Sequence, residues 1–206
     1  MFLAEIPWAD QPLVFHHKYR FYVQPFTESY HTPVHYGRGS QLLIGSPWEF
    51  DVPQCKEGVP GCSKVNGTWI HTVTGSKYND ERIVTLNFHC HAPTCLMMSV
   101  YACPYGTSLQ DCANATSAQD AEARGYRLLC RQEPVYGGSG DHRESGTRFD
   151  EQGYIAIPDC LWGSADQGLV APLNLTGVPL FIIKTSNATR GHYGEMAGGQ
   201  PFCRQK

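Results

Sequence analysis

Charged residues are scarce in this sequence, and long apolar runs are absent. Only 17% of the 206 residues are Asp, Glu, Lys or Arg, and the formal net charge at pH 7 is −3. The chain has no basic cluster of the kind that binds nucleic acid or an anionic membrane surface, so we expect neither partner. No stretch approaches the roughly 20 consecutive apolar residues that cross a bilayer, so we also expect no membrane span.

Several catalytic signatures are missing as well. There is no Gly-x-Ser-x-Gly motif to mark a serine nucleophile. The carboxylate pairs Asp80-Glu81 and Asp150-Glu151 are sequence neighbours in loop-like segments, which is typical of solvated surface and not of a glycosidase. The glycine-rich stretch Tyr136–Gly146 is not followed by a helical pattern, so we interpret it as a long loop and not as a phosphate-binding site.

The remaining pattern is that of a β protein with little helix. Alternating or β-branched apolar residues, bounded by Gly, Pro, Asn and Ser, recur along the chain, and only Ser117–Arg124 favours a helix. We predict a single antiparallel, disulfide-rich β-sandwich of jelly-roll or Greek-key order over residues 15–206, preceded by an extended proline-containing arm, residues 1–14. The predicted strands are His17–Gln24, Gln41–Ile44, Thr68–Val73, Ile83–Phe88, Cys95–Ala102, Tyr126–Arg131, Gly153–Ile157 and Val178–Thr185.

Nine cysteines are many for a chain of this size. No paired Cys-x-x-Cys knuckles occur, so we expect disulfides and not a zinc cluster. Nine is an odd number, and our first candidate for the cysteine that is left over is Cys90. The sequence does not determine the pairing. The cysteines are Cys55, Cys62, Cys90, Cys95, Cys103, Cys112, Cys130, Cys160 and Cys203.

Four of the six asparagines begin Asn-x-Thr sequons. Ser and Thr make up 25 of the 206 residues, so chance alone would place fewer than one sequon among six asparagines. We therefore predict N-linked glycans, on the surface, in a protein that is secreted or displayed outside the cell. The first residues lack the apolar core of a signal peptide, so we expect a mature or trimmed form. The predicted sites are Asn66, Asn114, Asn174 and Asn187.

The most specific chemical feature is the triplet His89-Cys90-His91 at the end of a predicted strand. Residues i and i+2 of a strand share a face, so the two histidines project together while Cys90 faces the opposite layer, where it would serve in a disulfide. Two imidazoles on one face suit zinc or copper. The alternative is that they are simply two partly exposed histidines at a strand end.

This triplet and a later segment resemble one family, the copper type II, ascorbate-dependent monooxygenases represented by the peptidylglycine and dopamine hydroxylases. In the jelly-roll domain of that family, a His-x-His pair and a later methionine in a Gly-rich, Glu-Met context bind the catalytic copper. Here His89-Cys90-His91 is similar to the pair, and Gly191-His192-Tyr193-Gly194-Glu195-Met196 is similar to the methionine segment. The same residues resemble secreted proteins of the stress-upregulated nodulin type.

The resemblance spans roughly residues 83 to 200 and implies a copper held by His89, His91 and Met196. A thioether with two imidazoles also selects copper over zinc on chemical grounds. The complete monooxygenases carry a preceding sandwich with its own three-histidine copper, and too few residues precede His89 to form one. The resemblance therefore implies copper binding without complete hydroxylase activity, and any oxidoreductase activity would need a partner domain.

Other histidines are weaker candidates for the site. His71 lies in an alternating strand, and His192 is four residues before Met196, so each is a possible further ligand or neighbour of one. Core packing is the ordinary alternative for Met196. We do not expect His16 and His17 to bind one metal together, because adjacent residues of a strand point to opposite faces. We also do not expect His31 and His35, in a proline-containing loop, to form a metal site.

We therefore expect a secreted copper-binding glycoprotein. The alternative is a structural subunit of an extracellular filament, matrix or surface assembly, with the histidines vestigial or structural. Copies of the chain would then associate through the N-terminal arm or the odd cysteine. A third interpretation, a carbohydrate-binding module, depends on fold analogy and on exposed aromatic residues. These are Trp8, Trp48, Trp69 and Trp162.

Overall fold

The computed structural model describes residues 21, 23–27, 34–36, 42–43, 49–79, 82–91, 94–136 and 155–204. The chain divides into two compact units, 1–32 and 33–206. In the first unit the described residues are not in a strand, so the predicted strand His17–Gln24 is absent at residues 21, 23 and 24, and its other residues lie outside the described part. The predicted arm, residues 1–14, lies outside it as well.

The described part of the second unit is built of short and medium strands with little helix. The helical segments are α1 (Leu109–Cys112), α2 (Ala118–Ala123) and a 3-10 turn (Ala165–Gln167), none of them long or apolar enough to cross a membrane. The strands are β1 (Val34–Tyr36), β2 (Leu42–Leu43), β3 (Glu49–Val52), β4 (Cys62–Val65), β5 (Thr68–Asn79), β6 (Arg82–Cys90), β7 (Cys95–Ala102), β8 (Arg127–Gln132), β9 (Val135–Tyr136), β10 (Ile155–Ala156), β11 (Cys160–Leu161), β12 (Val178–Asn187) and β13 (His192–Arg204).

Two antiparallel sheets pack face to face. One has the order β1-β13-β6-β11, with β2 and β3 also pairing with β13, and the other has the order β4-β5-β12-β7-β8. β9 and β10 form a separate two-stranded ribbon. The two sheets confirm the predicted antiparallel, disulfide-rich sandwich, and strands that are distant in sequence are neighbours in both of them.

The main core lies between the two sheets. Leu86, Phe88 and Ala197 of the first sheet pack against residues of the second, such as Met98 and Ile182. A second core lies on the other face of the second sheet, where α1 and α2 cover Tyr101, Phe181 and Ile183. Because both faces of β12 are covered, its sequence is a nearly continuous apolar run and not an alternating one.

The one predicted helix is confirmed. The Ser117 Oγ accepts a hydrogen bond from the Asp120 N–H at 3.1 Å, which caps the start of α2. Gly125 follows the helix with φ of +75°, a conformation that favours glycine after a helix end. Ser and Gly at these places therefore set the two ends of the helix.

Eight of the nine cysteines form four disulfides, Cys55–Cys62, Cys90–Cys95, Cys103–Cys112 and Cys130–Cys160. The expectation that Cys90 is the cysteine left over is therefore wrong, whereas the expectation from strand alternation that Cys90 forms a disulfide is confirmed. Side chains alternate in direction along β6, so the side chain of Cys90 faces the interior of the sandwich. Cys95, at the start of β7 in the facing sheet, lies within reach of it there. Cys203 lies outside these four disulfides and is fully buried in β13, so a second chain would not reach it unless β13 moved.

Candidate metal centre

His89 and His91 lie at the end of β6 on the outer face of the first sheet. Phe88 and Cys90 face the core, whereas His89 is exposed and His91 is half-buried, so the histidines share a face as predicted. Their ring centroids are 5.3 Å apart. A metal about 2 Å from one nitrogen of each ring would lie about 3 Å from each centroid, so the centroids of a chelating pair are separated by at most about 6 Å. The spacing fits a shared metal.

β13 places Met196 beside this pair. Ala197 lies opposite Cys90 and Gly198 lies opposite His89. Ala197 is buried in the core, so its neighbours Met196 and Gly198 are on the outer face with the histidines. Extending the register by one residue sets the half-buried Met196 opposite His91.

A backbone carbonyl fixes the orientation of His91. Its Nδ1 donates a hydrogen bond to the Gly194 carbonyl oxygen at 2.7 Å. This leaves the lone pair on Nε2, which is the arrangement that metal-binding histidines adopt. Gly194 has φ of +66° in a bulge between His192 and Glu195, where β13 shifts register against β3. Only glycine takes this backbone conformation without strain.

The electrostatics of the pair favour the neutral, metal-binding form of His89. Partial desolvation lowers the pKa of His89 below its usual 6.5, and the charges of His91 and Lys184 lower it further. A neutral imidazole has a nitrogen lone pair available to a metal, whereas a protonated one does not.

Beneath this surface, the core holds a buried ion pair that the sequence analysis did not identify. Lys184 in β12 has no exposed side-chain surface, and its Nζ donates to the Glu195 Oε2 at 2.8 Å and to the Met196 carbonyl at 3.0 Å. The Nζ also lies 5.2 Å from the centroid of the Phe50 ring. Burial lowers the pKa of Lys184, and the hydrogen bond to Glu195 opposes that shift. The ion pair thus links the facing sheet to the backbone of Met196.

The structure does not bring His71 to the histidine pair. His71 is in β5, opposite Ser186, and shares its face with Val73, which packs against the inter-sheet core. It therefore points into the sandwich, whereas His89 and His91 lie on the outside. Its Nδ1 is buried and has no hydrogen-bond partner among the described residues. Burial, and then the charge of Lys184, lower the pKa of His71.

The lowered pKa of His71 predicts how the stability of the folded protein depends on pH. Its pKa is lower in the folded protein than the ordinary 6.5 of the unfolded chain, so below that value the unfolded state takes up the proton first. The contribution of His71 to stability is thus present above pH 6.5 and lost as the pH falls. Replacing His71 by leucine should reduce the fall in the free energy of unfolding between about pH 7 and pH 5, measured by urea denaturation. Equal slopes for both proteins would contradict this.

The other candidate histidines do not join the site. His192 begins β13 opposite Val52, beyond the Gly194 bulge, and it has no hydrogen bond or ring contact with His89 or His91 in the part of the chain that the structure describes. His16, His17, His31 and the side chain of His35 lie outside the described residues.

The described residues contain no group of three His, Cys, Asp or Glu side chains that could hold a metal. The side chain that the register of β13 places beside the pair is that of Met196. Sequence reasoning missed the roles of Gly194 and Lys184. A glycine inside a strand is a signal for a bulge, but nothing local in the sequence indicates that Lys184 is buried.

No protein-family model matches the chain, and no curated protein is significantly similar to it. Its function must be inferred from its own residues.

Proposed function

We propose that this protein is an extracellular copper-binding β-sandwich glycoprotein in which His89, His91 and Met196 hold the metal. The observation that carries the proposal is the pairing of two imidazoles, 5.3 Å apart on one sheet face, with a methionine on the neighbouring strand. The bond from the His91 Nδ1 to the Gly194 carbonyl supports it, because it orients the ring with Nε2 as the ligand atom.

The donor set selects the metal. A thioether is a poor ligand for zinc and a good one for Cu(I), and imidazole serves both oxidation states of copper. Bound copper would supply one-electron chemistry. The residues themselves hold and orient the metal on an outer sheet face, where a partner domain or small molecule has access. We do not propose a complete hydroxylase.

The extracellular assignment is supported by the disulfides and by the positions of the sequons. Asn66 is exposed in the two-residue turn between β4 and β5, with φ of +48°, a turn conformation that Asn-Gly favours. Asn114 and Asn174 are exposed, and Asn187 is half-buried. Four disulfides suit an oxidising compartment.

Copper titration tests the proposal. The protein should bind one Cu(I) in competition with a chromophoric Cu(I) chelator, and replacing either His89 or His91 by alanine should weaken binding by about 10- to 100-fold or more, since even outer hydrogen-bond partners of metal ligands contribute that much. Replacing Met196 by leucine should weaken Cu(I) more than Cu(II), because the thioether prefers the softer ion.

His192 provides the matched control. It lies four residues before Met196 in the same strand but does not contact the pair, so H192A should bind copper as the wild type does. Electron paramagnetic resonance of the Cu(II) form should show nitrogen hyperfine coupling that is lost in the H89A/H91A double variant. A wild-type protein that binds copper no better than this double variant would contradict the proposal.

A further inference from the structure

The fourth sequon differs from the other three in its surroundings. Asn66, Asn114 and Asn174 are exposed, whereas Asn187 is half-buried and lines a cavity of about 340 Å³ at the β12–β13 end of the sandwich. The other lining residues are Thr94, Thr189, Arg190 and His192.

The backbone of this sequon is held from both sides. The Asn187 N–H donates to the Thr94 carbonyl at 2.8 Å, and the N–H of the fully buried Ala188 donates to the Trp69 carbonyl at 2.9 Å. The Ala188 carbonyl in turn accepts the Cys55 N–H at 2.9 Å. Asn187 and Ala188 are therefore anchored to the start of β7, to β5 and to the chain around Cys55.

The side chain of Asn187 is also oriented. Its Oδ1 accepts the Thr189 N–H at 3.0 Å, so the amide plane is fixed and the Nδ2, the atom that carries an N-glycan, has one direction. Asn174 makes the same turn, with its Oδ1 accepting the Thr176 N–H at 3.1 Å, but it is exposed. The two sequons thus share local geometry and differ in what surrounds them.

The cavity suits one sugar residue. Its volume is near the lower end of the range for small-molecule sites, about 300–1,000 Å³. The guanidinium of Arg190 and the hydroxyl of Thr189 are donors for sugar oxygens, and the His192 ring offers a flat surface.

We propose that the first N-acetylglucosamine of the glycan on Asn187 occupies this cavity and contacts Arg190 and His192. The proposal rests on the glycosylation that the sequon predicts and is independent of copper binding. Covalent attachment to a lining residue gives this sugar a high effective concentration at the cavity, an advantage that free ligands lack. The glycan is then a packed part of the β12–β13 end, whereas the glycan on Asn174 is surrounded by solvent.

Endoglycosidase H tests this on the full protein, secreted from eukaryotic cells that make high-mannose glycans. The enzyme cuts beside the first sugar, and tryptic glycopeptides analysed by mass spectrometry report each site separately, because Lys184 lies between Asn174 and Asn187. In the native protein we expect release at Asn187 to be about tenfold slower or more than at Asn174, because the sugar must leave its cavity first. After denaturation the two rates should be equal.

An Arg190→Ala variant tests the role of the cavity without changing the sequon. It keeps Asn187-Ala188-Thr189 intact but removes one wall, so native release at Asn187 should approach the rate at Asn174. As an independent measurement, N187Q should lower the midpoint of thermal unfolding more than N174Q does. Two results would overturn the proposal: an Asn187 that carries no glycan in the secreted protein, or equal native release at the two sites.

Discussion

Replacing Lys184 by methionine is expected to lower the free energy of unfolding by about 3–5 kcal/mol, the usual effect of removing one member of a buried ion pair. The Lys184 side chain is fully buried and that of Glu195 is nearly so, with Nζ and Oε2 2.8 Å apart. Without Lys184, the Glu195 carboxylate and the Met196 carbonyl would each lose their partner away from water. Urea denaturation at neutral pH, with the disulfides intact, measures the loss.

Two controls identify the cause of that loss. The double variant K184M/E195M removes both charges and should be more stable than K184M alone, since apolar side chains of similar size often replace a buried pair at little cost. The exposed pair Arg124–Asp120, with its Nε and Oδ1 2.9 Å apart, is the surface equivalent. R124M should cost much less than K184M, because solvent screens such a pair. A K184M variant as stable as R124M would contradict the prediction.

Removing the Cys130–Cys160 disulfide is expected to cost about 3.7 kcal/mol, from the loop entropy that it takes from the unfolded chain. This bond closes the longest loop of the four, with a sequence separation of 30. It also joins β8 of one sheet to β11 of the other, so it closes one edge of the sandwich. The C130A/C160A double variant should therefore unfold at a clearly lower urea concentration.

The Cys55–Cys62 disulfide is the matched comparison. Its sequence separation is 7, and the same relation gives about 2.4 kcal/mol for its removal. C55A/C62A should thus be the more stable of the two double variants, by about 1 kcal/mol. An equal or greater cost at Cys55–Cys62 would mean that local packing, and not loop closure, sets the contribution of these bonds.

Several strands of the two sheets could be predicted from the sequence. β7 has the predicted bounds, and β6 and β12 extend their predictions by a few residues, because their β-branched and apolar runs are strong local signals. β13, a strand of 13 residues, was not predicted. Gly194, Gly198, Gly199 and Pro201 give it low strand propensity, and its conformation depends on pairing with β6 and with the three strands on its other side.

In the candidate site, too, some features follow from local sequence and others depend on the tertiary structure. That His89 and His91 share a face, and that Cys90 points the other way, follows from the two-residue period of a strand, which is local and can be derived from the sequence. That β13 brings Met196 beside the pair depends on pairing between segments about a hundred residues apart, such as His91 and Gly194. Local propensity does not encode such pairing.

The sequence by itself determined the β class, the disulfide-rich character and the shared face of His89 and His91, because composition and alternation act over a few residues. Only the tertiary structure decided that this face is the outer one, that His71 points into the sandwich, and that Cys90 pairs with Cys95. The same holds for the burial of Lys184 against Glu195. Each of these depends on which strands become neighbours, and that is set by the packing of the whole core.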